Sequence, residues 1–341
     1  MNHTHDPFFR EVNDSRYYRH NGAFYESYFL RANHPSAPQA FWLRYTLLHP
    51  KTKHATPVGE LWGFFFDGLD KKIWAAKQSV AMTDCFFSHD QLAVCLGKST
   101  LRSHAAHGSI DSGGTTMAWD LLYSARHTQP VPLLPRARYG GNFPAAKSIA
   151  SVPIANFSGT LTIDGRCHTI TDWRGSQNHN WGTRHTDRYA WCQVSGFDNA
   201  PASYFEAATA QLKIGPCWTP TFTPCVLIHD HQSYALNGVW RSLHNAVLQQ
   251  HDCLWEFTAR TSAISLRARI SGDPALFANV RYQNTNGATK LCRHNALAGC
   301  EVWLQGMANP TAEPVHLMSA QGASFETLDD RSLDDTILLL A

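Results

Sequence analysis

Two stretches decide the fold class: Phe24-Tyr25-Glu26-Ser27-Tyr28-Phe29-Leu30-Arg31, and then Ala40-Phe41-Trp42-Leu43-Arg44-Tyr45-Thr46-Leu47-Leu48. In the second, Phe41, Leu43, Tyr45 and Leu47 share one parity, while Trp42, Arg44 and Thr46 share the other. In the first, Glu26 and Arg31 fall on opposite parities. Side chains of a strand alternate between its faces, so this period of two, carried by aromatic and branched residues, reads as strand. Residues 58–67 form a third such run, and others recur near 90–96, 116–126, 157–164, 188–197, 203–213, 253–260, 263–271, 277–282 and 299–305. Asn33-His34-Pro35, Asp164-Gly165, Asp198-Asn199 and Asn286-Gly287 punctuate the runs as turns. Helical periodicity is scarce. Residues 6–13 fit a short helix, with Asp6 as N-cap and Pro7 at the first position, and 242–250 fit helix or strand. The expectation is an all-β chain of sandwiches or barrels.

At about 150 residues per domain, 341 residues favour two domains or one large all-β unit. The proline- and glycine-rich stretch 128–153 sits near the middle, so the division is expected at 1–150 and 151–341. Lys plus Arg is 29 and Asp plus Glu is 27, a net charge of +2 that offers no electrostatic attraction to nucleic acid. Charged residues are 16% and aromatics 12%, which excludes disorder and favours a large core or a large apolar pocket. No apolar run is long enough for a transmembrane helix, and the start shows no signal-peptide pattern. The nine cysteines are irregularly spaced without a CxxC, which points to reduced thiols and a cytoplasmic location.

The densest polar–aromatic cluster is Asp172-Trp173-Arg174-Gly175-Ser176-Gln177-Asn178-His179-Asn180-Trp181-Gly182-Thr183-Arg184, which reads as a loop or strand end. Trp191 and then Tyr204-Phe205-Glu206 follow. On a strand Tyr204 and Glu206 share a face. A glutamate on an inward, aromatic face is desolvated, which raises its pKa and equips it as a general acid. The competing reading is structural: His179 and Trp181 hold a turn, and Glu206 faces solvent.

Asn178-His179-Asn180-Trp181-Gly182-Thr183-Arg184 resembles the D-H-x-W-G-x-R signature of the lipocalin-like family that includes AttH-like proteins. Carotenoid 1,2-hydratases, tocopherol cyclases and fungal pericyclase-type cyclases are its more distant relatives. The 25–29 and 41–46 segments resemble its opening strands, and Phe157-Ser158-Gly159-Thr160-Leu161 resembles the start of its second half. Cys292-Arg293-His294-Asn295-Ala296-Leu297-Ala298 resembles a late element. The resemblance implies two lipocalin-like β-barrels or sandwiches packed together around an apolar pocket. It further implies cofactor-free alkene chemistry carried by His179, Trp181, Tyr204 and Glu206. Two positions depart from the pattern, Glu206 and Asn178, where the family has aspartate.

Protonating an alkene creates a carbocation, which aromatic faces such as Trp181, Trp191 and Tyr204 stabilise. Trp191, Asn178, Asn180, Arg184, Trp42 and Arg44 are the expected substrate contacts. Arg31 and Arg44 either meet a polar head group, are solvated, or pair with glutamates such as Glu26 or Glu60. Three functions are thus in play: a hydratase, cyclase or isomerase of a hydrophobic, isoprenoid-type substrate, a non-catalytic carrier using the same pocket, and a metal enzyme built on His229-Asp230-His231. The first needs no cofactor or metal, and its partner is a hydrophobic small molecule, with peripheral membrane contact compatible. The tail 325–341, acidic and then apolar, is expected to be a closing strand or short helix that covers a barrel mouth.

Overall fold

The computed structural model describes residues 12–17, 22–51, 56–309 and 311–329. The first half contributes β1 (Phe24–Asn33), β2 (Gln39–His49), β3 (Val58–Asp67), β4 (Lys72–Ala81), β5 (Cys85–Phe87), β6 (Ala93–Leu96), β7 (Ser99–Arg102), β8 (Ala105–Ser112), β9 (Thr115–His127), β10 (Val131–Pro132), β11 (Ala146–Ile163) and β12 (Arg166–Gly182). They form one antiparallel sheet in the order β4-β3-β2-β1-β12-β11-β9-β8-β7-β6-β5, with β10 on β11. Its ends curl until β3 and β4 pack on β8, giving a nearly closed barrel.

The second half contributes β13 (Arg188–Ser195), β14 (Tyr204–Gln211), β15 (Lys213–Ile214), β16 (Cys217–Trp218), β17 (Cys225–His229), β18 (Gln232–Ala235), β19 (Ala246–His251), β20 (Leu254–Arg260), β21 (Ile264–Ser271), β22 (Ala278–Gln283), β23 (Thr289–Gly306) and β24 (Val315–Asp329). Ten of these form a second sheet in the order β18-β17-β14-β13-β24-β23-β21-β20-β19, with β22 on β23, while β15 and β16 form a separate ribbon.

The all-β reading holds, and most of the expected strands and turns are in place. Four local expectations are settled by the structure. The 242–250 segment is split between a short helix, Val239–His244, and β19. Residues 166–182 are one continuous strand, so the polar–aromatic cluster lies at the end of β12, the strand-end alternative of the two expected. The chain leaves the first sheet at Gly182 and enters the second at Arg188, so the division expected at 150/151 falls inside β11. Residues 325–329 are strand, as one alternative had it, but they pair with β13 and β23 in the middle of the second sheet instead of covering a barrel mouth. Residues 330–341, and 6–11 of the expected N-terminal helix, lie outside the described residues, and Val12 and Asn13 sit in a turn.

Every residue of β1 is buried, as are nearly all of β2 and β3. Alternation therefore does not separate a wet face from a dry one. One face, with Tyr28, Leu30, Phe41, Tyr45 and Phe65, fills the first barrel. The other, with Phe29, Trp42, Trp62, Phe64 and Phe66, packs on Ala278, Val280, Tyr282, Leu297 and Leu328 of the second half. Trp255, Phe257, Phe205 and Phe325 centre the second sheet's own core. Burying both faces removes more apolar area from water than a one-sided sheet could, and each fully buried large side chain contributes roughly 1.5–3 kcal/mol.

β12 lies tight against β1 because Gly175 has no side chain. A Cβ there would meet the Arg31 carbonyl oxygen at 1.8 Å. Arg31, on β1, then reaches across to the second half, where it donates to the Gly322 and Gln193 carbonyl oxygens at 2.7 and 3.1 Å. Its neighbour Asn33 donates to the Ala296 and Gln321 carbonyl oxygens at 2.7 and 2.9 Å. These bonds join the two sheets where the site forms.

Candidate active site

β12 pairs with β1 in unbroken register, Phe29 opposite Asn178 and Tyr28 opposite His179. Consecutive residues therefore serve opposite faces. Ser176, Asn178 and Asn180 look toward the second sheet, while His179 and Trp181 look into the first barrel beside Tyr28 and Glu26.

Between the sheets lies a continuous hydrogen-bonded network. Tyr204 Oη donates to Glu206 Oε2 at 2.7 Å, and Trp191 Nε1 donates to Oε1 at 3.0 Å. Gln193 Nε2 donates to Tyr204 Oη at 2.9 Å and to Asn178 Oδ1 at 2.7 Å. Ser176 Oγ donates to Gln193 Oε1, and Asn178 Nδ2 donates to Ser176 Oγ. Glu206, Tyr204, Gln193 and Ser176 are fully buried. Burial pushes the Glu206 carboxyl up to about 7, although Tyr204, Trp191 and the charge of Arg31 pull the other way. Burial also brings Arg31 down to about 10, still charged at neutrality. A carboxyl poised near neutrality, with two donors ready to hold its anion, can release a proton and take it back.

A second buried carboxylate lies close by. Glu326 is directly opposite Trp191 on the neighbouring strand. It accepts from Tyr189 Oη at 2.9 Å, and His294 Nδ1 lies 2.9 Å from its other oxygen. Burial opposes its charge, but His294, Tyr189 and Arg44 together outweigh burial and lower its pKa. His294 packs at 5.1 Å from Trp42, Trp42 at 6.3 Å from Phe29, and Phe29 at 6.3 Å from Trp191. An aromatic strip thus runs from Glu206 to the Glu326–His294 pair.

The structure brings together Glu206, Tyr204, Trp191, Asn178, Trp42 and Arg44, and places Asn180 half-buried on the same face. His179 and Trp181 belong to a different cluster. His179 Nδ1 sits 2.6 Å from the Val12 carbonyl oxygen, so that nitrogen carries the proton, and Nε2 lies 2.9 Å from Glu26 Oε1. Tyr28 stacks on His179 at 4.2 Å, and Trp181 lies 4.7 Å away. Ser15 Oγ and the Arg16 amide also bond Glu26, which anchors the 12–17 segment. Arg184 lies off the network, on the crossing segment, paired with Asp187 at 3.1 Å. Neither arginine pairs with a glutamate as the sequence had suggested: Glu26 bonds His179, and Glu60 bonds Lys77 at 2.8 Å.

His229-Asp230-His231 does not present two imidazoles from a strand. Asp230 and His231 form a turn with positive φ, and His229 Nδ1 bonds Ser203 Oγ at 2.8 Å. Among the described residues no group of three or more His, Cys, Asp or Glu could hold a metal. Sequence reading missed Glu326, His294, Tyr189, Gln193 and Glu26. The alternation of Ser324, Glu326 and Leu328 was the available signal for Glu326, and it went unread because the segment looked like a tail.

The two-sheet arrangement is the lipocalin-like fold that the motifs implied. A protein assigned as AttH from Nitrosomonas europaea superposes with TM-score 0.52 at 10% identity, covering 91% of this chain and 93% of that one. CghA, solved with Sch210972, gives 0.52 at 12% identity, covering 90% and 89%. Kievitone hydratase from Nectria haematococca gives 0.51 at 8% identity, covering 90% and 88%. Uncharacterized proteins from two strains of Mycobacterium tuberculosis are 21% identical over 197 residues, and the match spans 56% of this chain and 56% of each of them. No family model matches.

Proposed function

We propose that the chain is a cofactor-independent enzyme that protonates an alkene of a hydrophobic, isoprenoid-type substrate held between the two sheets. The observation that carries this reading is Glu206: fully buried, raised to about 7, and bonded by Tyr204 and Trp191 beside an aromatic strip. Its O–H proton passes to an alkene carbon, a C–H bond forms, and Tyr204 and Trp191 hold the resulting carboxylate. The cation lies against Phe29, Trp42 or Trp191, where desolvated aromatic faces contribute about 2 kcal/mol. Attack by water, whose proton returns to the Glu206 carboxylate, gives an alcohol. Attack by an internal hydroxyl or alkene, with a proton likewise returned to Glu206, gives a ring. Return of a proton without attack gives an isomer. The hydratase named among the structural neighbours is compatible with this chemistry. In this reading His179 positions the 12–17 segment through Glu26 rather than touching substrate. Nine unbridged cysteines suit a reducing compartment, and no helix among the described residues is long and apolar enough to cross a membrane.

The test compares small molecules extracted from purified wild-type protein and Glu206→Gln by mass spectrometry. The expected result is a compound on the variant that is either lighter than the wild-type compound by one water or isomeric with it. The same compound on both proteins would instead make the chain a carrier.

A further inference from the structure

Arg44 is a buried guanidinium, 6% exposed, whose Nε has no hydrogen-bond partner. It lies 4.8 Å from the Tyr282 ring centre and 5.8 Å from that of Trp42. Four more polar atoms on the same face of the first sheet are unpartnered: Arg31 Nε and Trp62 Nε1, and nearest each other Ser27 Oγ, fully buried, and Thr46 Oγ1, 5% exposed, directly opposite on β1 and β2. Five such groups, nine-tenths or more buried on one face, are uncommon in a settled core, because each unmade hydrogen bond costs about 1–3 kcal/mol.

Arg44 has a hydrogen bond with Tyr282, and the carboxylates around it are held by other groups as well. Glu326, whose field reaches Arg44, is held by Tyr189 and His294, and Glu60 is held by Lys77 at 2.8 Å. His185, stacked between Tyr25 and Tyr282, is pushed down to about 3 by burial and then by Arg44, so it adds no second positive charge. Arg44 is also next to the acid's end of the site. It pairs across strands with Phe29, which touches Trp191, the donor to Glu206.

We propose that Arg44 anchors the head group of the substrate, receiving a carboxylate, with Ser27 and Thr46 beside it. The substrate class is then an amphiphile: an acidic oxygen at Arg44 and an apolar body along Phe29 and Trp42 toward Glu206. A guanidinium fork suits such an oxygen pair because it can give two parallel, charge-assisted hydrogen bonds. The inference rests on the reading of the interface as the hydrophobic site.

Dodecanoate and dodecanol share a chain and differ in the head, so their titration by tryptophan fluorescence separates the two claims. Wild type is expected to bind dodecanoate about tenfold or more tighter than dodecanol. Arg44→Met is expected to erase that preference while keeping dodecanol affinity, and Arg44→Lys to retain part of it. Retained dodecanol binding shows that Arg44→Met is folded, and a thermal melt checks the same point. Equal wild-type affinities, or a preference that survives in Arg44→Met, would overturn the head-group assignment alone. Saturable binding of neither probe would overturn the interface reading together with it.

Discussion

Glu206→Gln should change the pH dependence of stability in a calculable way. The carboxyl is fully buried and raised from 4.5 to about 7, chiefly by desolvation. The unfolded chain therefore releases this proton at lower pH than the folded chain does. The sign follows: the favourable contribution is complete below about 4.5 and is lost as pH rises through about 7. At about 1.4 kcal/mol per pKa unit, integrating between about pH 5 and about pH 8 gives a wild-type loss of about 2.5 kcal/mol from this group. Glutamine keeps the shape and cannot ionise, so the variant lacks that loss. Urea denaturation of both proteins across the range, compared as a difference, cancels titrations common to the two. The variant should gain about 2.5 kcal/mol relative to wild type on going from about pH 5 to about pH 8. A flat difference would refute the reasoning, because Glu206 would then ionise alike folded and unfolded.

Tyr204→Phe removes a hydrogen bond that favours the Glu206 anion, so Glu206 should titrate higher still. A hydrogen bond to a charged group is worth about 1.5–3 kcal/mol, so the midpoint should rise by about one to two pH units, read from Tyr204→Phe against the Tyr204→Phe/Glu206→Gln double variant. Gly175→Ala places a methyl 1.8 Å from the Arg31 carbonyl oxygen and must part β1 from β12. Its denaturation midpoint should fall by the equivalent of about 3 kcal/mol, while Gly140→Ala, which meets nothing within 4 Å, should move it by less than about 0.5 kcal/mol.

Local pattern carried the secondary structure well, because a period of two is written in the residues themselves. It could not show that β1 and β2 are buried on both faces, since the cover on the second face comes from strands more than two hundred residues away, such as β22. The pairing of Tyr204 with Glu206 was legible from alternation alone. Its partners were not: Gln193 and Arg31 join through β13 meeting β1, a contact that topology sets and spacing does not. The same alternation places His179 and Trp181 opposite Asn178 and Asn180, and only the structure tells which side meets Glu206. The proline- and glycine-rich 128–153 stretch looked like a boundary because turns and boundaries share composition. Here it carries the chain from β9 to β11 within one sheet.

The central claim is that Glu206 holds an acid proton at neutral pH between the two sheets. Infrared difference spectroscopy of wild type minus Glu206→Gln reads that proton directly, through the carbonyl band of an un-ionised carboxylic acid. The account predicts the band at about pH 6, half its intensity near pH 7, and its loss by about pH 9, tracking a carboxyl raised to about 7. A difference spectrum showing only carboxylate at about pH 6 would contradict it.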